Sequence, residues 1–245
     1  MAAIPRDAAT LILLRQVAPL GSGIEVLMLQ RHANSAFLPG AYVFPGGVVE
    51  EADYTAQAER VSRGLNPAWA HNVIPDLSPP ERALGFFVAA VREAFEEAGI
   101  LLVCGESSGL AALSDEQKLR FAQCRRRVHE NPRVFASLIE EEGLKIPADN
   151  LFYFAHWITP EASPIRFDAR FFVAAAPLDQ EASFDGLETT DARWISPHEL
   201  LKAHQKGDLY LPVPTLSSVS ALAGFSSVED VIALTHDREI RVNYG

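Results

Sequence analysis

The 245-residue chain is 48% hydrophobic, with a formal net charge of −11 and a pI near 5.1, enough apolar material for one large core or two small ones. An acid excess of this size argues against a nucleic-acid scaffold or an anionic membrane surface as the main partner, because both need a basic footprint. The apolar runs at 86–91 and 171–176 fall far short of a membrane span, and Cys104 and Cys124 are too few for a disulfide framework and lack metal-ligand spacing, so the expected setting is a reduced cytoplasm.

Residues 10–17 and 24–31 read as two antiparallel β-strands around a Gly21-Ser22-Gly23 turn. Arg31 leaves the second strand towards Pro39-Gly40 and Pro45-Gly46-Gly47, so its guanidinium can reach whatever is built around Gly47; a solvated strand-end arginine is the plainer alternative. Gly46-Gly47 permits close backbone approach, and Val48-Val49 continues as a short strand. Residues 54–63 have helical character. Beyond them Gly64, Pro67, Pro75, Pro79 and Pro80 suggest an irregular, lid-like loop, with a tolerated surface excursion as the alternative.

The next helix has two faces. Leu84, Phe87, Val88, Val91 and Phe95 recur at three- and four-residue steps, the spacing of a buried stripe. Glu93, Glu96 and Glu97 project from neighbouring positions on the other side. Three carboxylates that close repel unless cations lie among them, and an all-oxygen set suits a hard ion such as Mg²⁺ or Mn²⁺. Ser78 is expected to cap this helix, with Pro79 in its first position and Glu81 closing a capping box. Gly99 is expected to end it in a left-handed turn.

Residues 101–104 read as a strand. Ser114-Asp115-Glu116-Gln117 opens a capped helix to about residue 129, near whose end Arg125-Arg126-Arg127 is either a phosphate contact or a solvated face, and Asn131-Pro132 opens another to about 142. Strands follow at 151–159, where His156 reads as a core or edge residue, and at 170–176. Between them Arg166 is a candidate phosphate contact, with an Arg166–Asp168 pair as the alternative. An acidic loop at 179–191 precedes a strand at 192–195, a helix capped by Ser196, and two closing helices at 212–223 and 227–235. The order suggests a single α/β domain spanning 1–245, a mixed β-sheet flanked by helices, with an insertion at about 54–80 and helical additions at about 114–142 and 212–235.

The run Arg92-Glu93-Ala94-Phe95-Glu96-Glu97-Ala98-Gly99-Ile100 resembles the second half of the box that defines Nudix hydrolases, G-x5-E-x7-R-E-U-x-E-E-x-G-U with U apolar. Gly47 and Asp53 resemble its first half, with Asp in place of Glu and thirty-eight residues before Arg92 instead of seven. An interrupted box of this kind is similar to the Nudix subgroup that contains the peroxisomal coenzyme A diphosphatase, nucleoside diphosphate-linked moiety X motif 19. The likeness extends to Phe37-Leu38-Pro39-Gly40-Ala41-Tyr42-Val43-Phe44, Trp157-Ile158-Thr159-Pro160, Arg166-Phe167-Asp168 and Trp194-Ile195-Ser196-Pro197, covering about 8–235. The terminal Val242-Asn243-Tyr244-Gly245 is unlike a peroxisomal Ser-Lys-Leu signal, and the first residues lack a signal-peptide apolar segment.

The resemblance implies a Nudix fold and a Mg²⁺- or Mn²⁺-dependent hydrolase that splits the diphosphate of a nucleoside diphosphate derivative. Glu93, Glu96, Glu97 and the Gly47 carbonyl are then the metal ligands, and Glu93 or Glu188, six residues before Trp194, is the general base. Arg92, Gly46 and Gly99 support the site, Arg31 and Arg166 are candidate substrate contacts, and the role of Asp53 is left open. The expected partner is a small-molecule nucleotide, with no nucleic acid and no membrane, and a homodimer remains an open assembly. The subgroup implies CoA or acyl-CoA, cut to 3′,5′-ADP and (acyl-)4′-phosphopantetheine. ADP-ribose, NADH or a nucleoside triphosphate are the alternatives within the class, and a catalytically silent nucleotide sensor is the alternative outside it.

Overall fold

The structure, a computed structural model, describes residues 3–17, 23–105, 109–236 and 242–244. In chain order the elements are β1 (Arg6–Gln16), β2 (Ile24–Arg31), β3 (Tyr42–Val43), β4 (Gly46–Val48), a 3₁₀ turn (Glu51–Tyr54), α1 (Ala56–Val61), β5 (Ser62–Arg63), α2 (Pro67–Val73), α3 (Pro80–Ala98), α4 (Asp115–Glu130), α5 (Arg133–Glu141), β6 (Ile146–Pro147), a second 3₁₀ turn (Ala148–Asn150), β7 (Phe152–Ile158), β8 (Phe167–Ala175), β9 (Thr189–Ile195), α6 (Pro197–Lys206), α7 (Val213–Leu222), α8 (Val228–His236) and β10 (Val242–Tyr244).

An eight-stranded mixed sheet runs β10-β7-β8-β1-β2-β3, with β4 on β1 and β9 on β2. Its central strand is apolar on both faces, as burial between two layers requires. Ala9, Leu11 and Leu13 enter one core with α1, α3, α4 and α5, while Ile12 and Leu14 enter the other with α6, α7 and α8. The result is an α/β/α sandwich.

The feature that makes a site is a split in this sheet. β1 and β2 pair only where they begin to diverge, from Leu14↔Val26 to Gln16↔Ile24. Beyond that point β3 pairs with β2, at Leu29↔Val43, and β4 with β1, at Ala9↔Gly47. The turn between β3 and β4 therefore lies in the cleft between diverging strands, beside α3. That helix is held by its apolar stripe: Leu84, Phe87, Val88, Val91 and Phe95 are all buried, each worth about 1.5–3 kcal/mol relative to exposure.

Three expectations are corrected. Pro79, not Ser78, takes the N-cap position of α3 and supplies no side-chain bond, so no capping box forms there. Residues 101–104 are buried but form only isolated bridges at Cys104, to Leu110 and Lys145, not a strand. The 54–80 insertion is no lid: α2, capped by the Asn66 side chain, lies against α3, and Leu65, Ala70, Ile74 and Leu77 join the core away from the site. Gly99 ends α3 at φ 68° as expected, and the Ser114/Gln117 capping box forms. Gly21 and Ser22 of the expected β1–β2 turn lie outside the described residues. Among the described residues no helix is long and apolar enough to cross a membrane.

Candidate active site

Glu93, Glu96 and Glu97 reach from α3 into the sheet split and line a cavity of about 670 Å³ with Gly46, Gly47, Arg31, Arg92 and Glu188. Closeness dictates the two glycines. A Cβ on Gly47 would lie 2.6 Å from the Glu93 carboxylate, and one on Gly46 would lie 2.6 Å from the Ala9 carbonyl oxygen.

The ladder decides which backbone oxygen faces the carboxylates. Leu11 N–H bonds to the Pro45 carbonyl and Val49 N–H to the Asp7 carbonyl. Bonded pairs recur every second residue, so Ala9↔Gly47 is also of the bonded kind and the polar groups of Gly47 turn towards β1. Those of Gly46 turn the other way: its N–H donates to Glu97 Oε2 at 2.9 Å. The carbonyl available to an ion is therefore that of Gly46, which corrects the expectation of Gly47. The role of Gly47 is to leave room for Glu93.

Arg92 is the pivot of the cluster. It is 2% exposed and donates through Nε and Nη2 to Asp53 at 2.8 and 2.9 Å, through Nη1 to Glu93 at 2.8 Å and Glu96 at 2.7 Å, and through Nη2 to the Val48 carbonyl at 2.8 Å. Asp53, equally buried, also accepts the Glu50 N–H at 2.8 Å. The Asp at this position is thus an anchor for the arginine that orients two of the glutamates. Arg125 holds the C-terminal turn of the helix, donating to the Glu96 carbonyl at 2.7 Å and to Ser183, which makes it structural.

Arg92 offsets only part of the negative charge on the carboxylates. Burial, the nearby Glu96 and Asp53 carboxylates outweighing the pull of Arg92, raises Glu93 to about 8. Burial and the proximity of Glu93 push Glu97 up as well, against the Gly46 hydrogen bond. Among the described residues no three acidic, histidine or cysteine side chains converge on one point; Glu96 is drawn to Arg92 and lies 3.4 Å from His129 Nδ1. The donor set nevertheless fits a hard divalent ion: Glu93, Glu97 and the Gly46 backbone supply only oxygen, and their excess negative charge is what such an ion relieves.

Glu188 lines the same cavity from the loop before β9, exposed and making no side-chain bond among the described residues. Asp185 builds that loop by accepting the N–H groups of Leu187, Glu188 and Thr189. Burial would raise the Asp185 carboxyl, but these bonds hold it below the usual range. Arg31 also reaches the cavity, with Nε on the Phe37 carbonyl. Arg166 is not brought there. Its guanidinium is used on the carbonyls of Thr159 and Ala3, while Asp168 pairs with His156 and Arg170.

Residues 5–222 match the family model described as NUDT19 Nudix domain. The chain belongs to the NUDT19 Nudix family. It is 32% identical to "Acyl-coenzyme A diphosphatase NUDT19" of Gallus gallus over 96% of this chain and 72% of that protein, and 31% identical to the Homo sapiens protein of the same name over 87% and 64%. Among solved structures, a NUDIX hydrolase from Alicyclobacillus acidocaldarius is similar over 94% of this chain and 96% of that one, with 25% identity and a TM-score of 0.74. Against this Nudix frame, sequence reasoning missed the cavity-lining Arg6 and His129. Neither has a local signature: Arg6 is signalled only by its even-numbered step from Ala8 and Thr10 on β1, and His129 is placed by the packing of α4 on α3.

Proposed function

We propose that the chain hydrolyses the diphosphate of CoA or an acyl-CoA, with a divalent cation, to 3′,5′-ADP and (acyl-)4′-phosphopantetheine. The observation that carries this reading is the pair of carboxylates, half-buried Glu93 and buried Glu97, packed on the Gly46-Gly47 backbone in an open cavity. The substrate class follows the printed names of the relatives at 31–32% identity.

Held by Glu93, Glu97 and the Gly46 carbonyl, Mg²⁺ or Mn²⁺ would supply charge neutralisation for the diphosphate and a more acidic water. Glu188 takes the proton, because its carboxylate is not tied to a cation, whereas Glu93 is tied to Arg92. A lone pair of the water oxygen forms the new bond to phosphorus as the bridging P–O bond breaks, and the departing phosphate oxygen keeps the electron pair of that bond. Arg31 faces the same anion from the β2 side. Arg92 and Asp53 touch no substrate and fix the carboxylates that do.

The test is a panel of CoA, acyl-CoA, ADP-ribose, NADH and nucleoside triphosphates incubated with Mg²⁺ or Mn²⁺, with products resolved by mass. Cleavage of CoA or acyl-CoA to the two named products, at kcat/KM above the other compounds, is the expected result. Preferential cleavage of ADP-ribose or NADH would overturn the substrate, and cleavage of none would overturn the enzyme.

A further inference from the structure

We propose that Arg6 reads a phosphate monoester on the substrate's ribose, the 3′-phosphate of CoA; this rests on the CoA reading above. Arg6, Ala8 and Thr10 occupy alternate positions of β1 and all line the cavity, as the two-residue period requires. Ala8 and Thr10 are small, so this face of the strand leaves the cavity open beside Arg6. Ala9 pairs with Gly47, where Glu93 sits. Arg6 is three residues earlier on the same strand, about 10 Å along it at ~3.3 Å per residue; its side chain leaves β1 on the face opposite to Ala9 and lines the same cavity as Glu93, so part of that spacing is spanned by the long arginine side chain.

Arg6 is also chemically free. Among the described residues its guanidinium makes no ion pair or side-chain hydrogen bond, and Glu50, which lines the cavity too, does not pair with it. The buried arginines of this acidic chain, Arg92 and Arg170, are by contrast paired with carboxylates. The Arg6 backbone is held in place: its N–H donates to the Arg166 carbonyl at 3.0 Å, and Arg166 clasps Thr159 and Ala3. Arg166 thus acts on the substrate end of the cavity by positioning the start of β1. A planar guanidinium at a cavity rim matches the oxygens of a phosphate dianion in a bidentate fork.

The experiment compares CoA with dephospho-CoA, which keeps the diphosphate and lacks the 3′-phosphate, in steady-state hydrolysis by wild type, Arg6→Gln and Arg6→Lys. Arg6→Gln is expected to raise KM for CoA about tenfold, the scale of one charge-assisted hydrogen bond, to leave kcat within about twofold, and to leave the constants for dephospho-CoA unchanged. Arg6→Lys recovers part of the loss. Inhibition by adenosine 3′,5′-bisphosphate should weaken in Arg6→Gln while that by AMP does not. Equal effects on both substrates, or none on CoA, overturn the assignment while leaving CoA hydrolysis standing. If wild type cleaves neither compound, the CoA reading fails and this inference falls with it.

Discussion

Replacing Asp53 tests whether the interrupted box is held together by one buried ion pair. Asp53→Ala empties two donors of an arginine that is 2% exposed and removes the acceptor of the Glu50 N–H. Removing one partner of a buried charge pair costs about 3–5 kcal/mol. Arg92 keeps Glu93 and Glu96, which places the cost near the lower end, roughly 3 kcal/mol. For a chain of this size about 2–4 °C is lost per kcal/mol, so Tm should fall by roughly 6–12 °C. Thermal unfolding in EDTA, which removes any stabilisation by bound ions, is the assay. The contrast is Glu130→Ala, which removes the partner of Arg126 in an exposed pair at 3.0 Å with side chains 79% and 59% accessible. It should cost no more than about 1 kcal/mol. If Asp53→Ala melts together with Glu130→Ala, Asp53 does not anchor Arg92 and the account of the box is wrong.

Three further outcomes are expected. Gly47→Ala should lower kcat by about 10²-fold with little change in Tm, because its Cβ displaces the Glu93 carboxylate 2.6 Å away; kinetics near wild type would show that Glu93 need not sit there. Glu188→Gln should lower kcat by about 10²–10⁴-fold while KM stays within a few fold, as loss of a general base does; an unchanged kcat would return the base role to Glu93. Burial raises the ion-free Glu93 from 4.5 to about 8, so its contribution to stability is complete below about 4.5 and is lost as pH rises through about 8. The EDTA-treated protein should therefore lose Tm across that window, and Mg²⁺ binding at pH 7 should release protons, seen as a dependence of the calorimetric enthalpy on buffer ionisation. A binding enthalpy independent of the buffer would contradict it.

What the sequence made legible is what short range controls. The α3 stripe, the Gly99 turn, the Ser114/Gln117 box and the adjacency of the three glutamates each depend on residues within about a turn of one another. The approach of the Gly46-Gly47 turn to the α3 glutamates was legible through the box alone, since nothing between them in the chain encodes it. Asp53 was left without a role because its partner lies thirty-nine positions away. α2 was missed for a different reason: Asn66-Pro67 is a cap followed by a proline in the first turn, yet it sits among prolines that also read as breaks. Residues 101–104 read as a strand because a run of apolar residues signals burial, and burial does not supply a ladder partner. The assignment of the ligand carbonyl to Gly47 failed on register, since adjacent strand residues point their polar groups in opposite directions.

The claim on which the rest depends is that the α3 carboxylates and the Gly46 backbone hold a divalent cation. Its most direct test is Mn²⁺ binding, followed by the loss of the free-ion electron paramagnetic resonance signal, in wild type and Glu97→Gln without substrate. Wild type should bind Mn²⁺, and Glu97→Gln should bind it at least about tenfold more weakly. Equal binding by the two proteins, or none by wild type with diphosphate cleavage intact in EDTA, would contradict it.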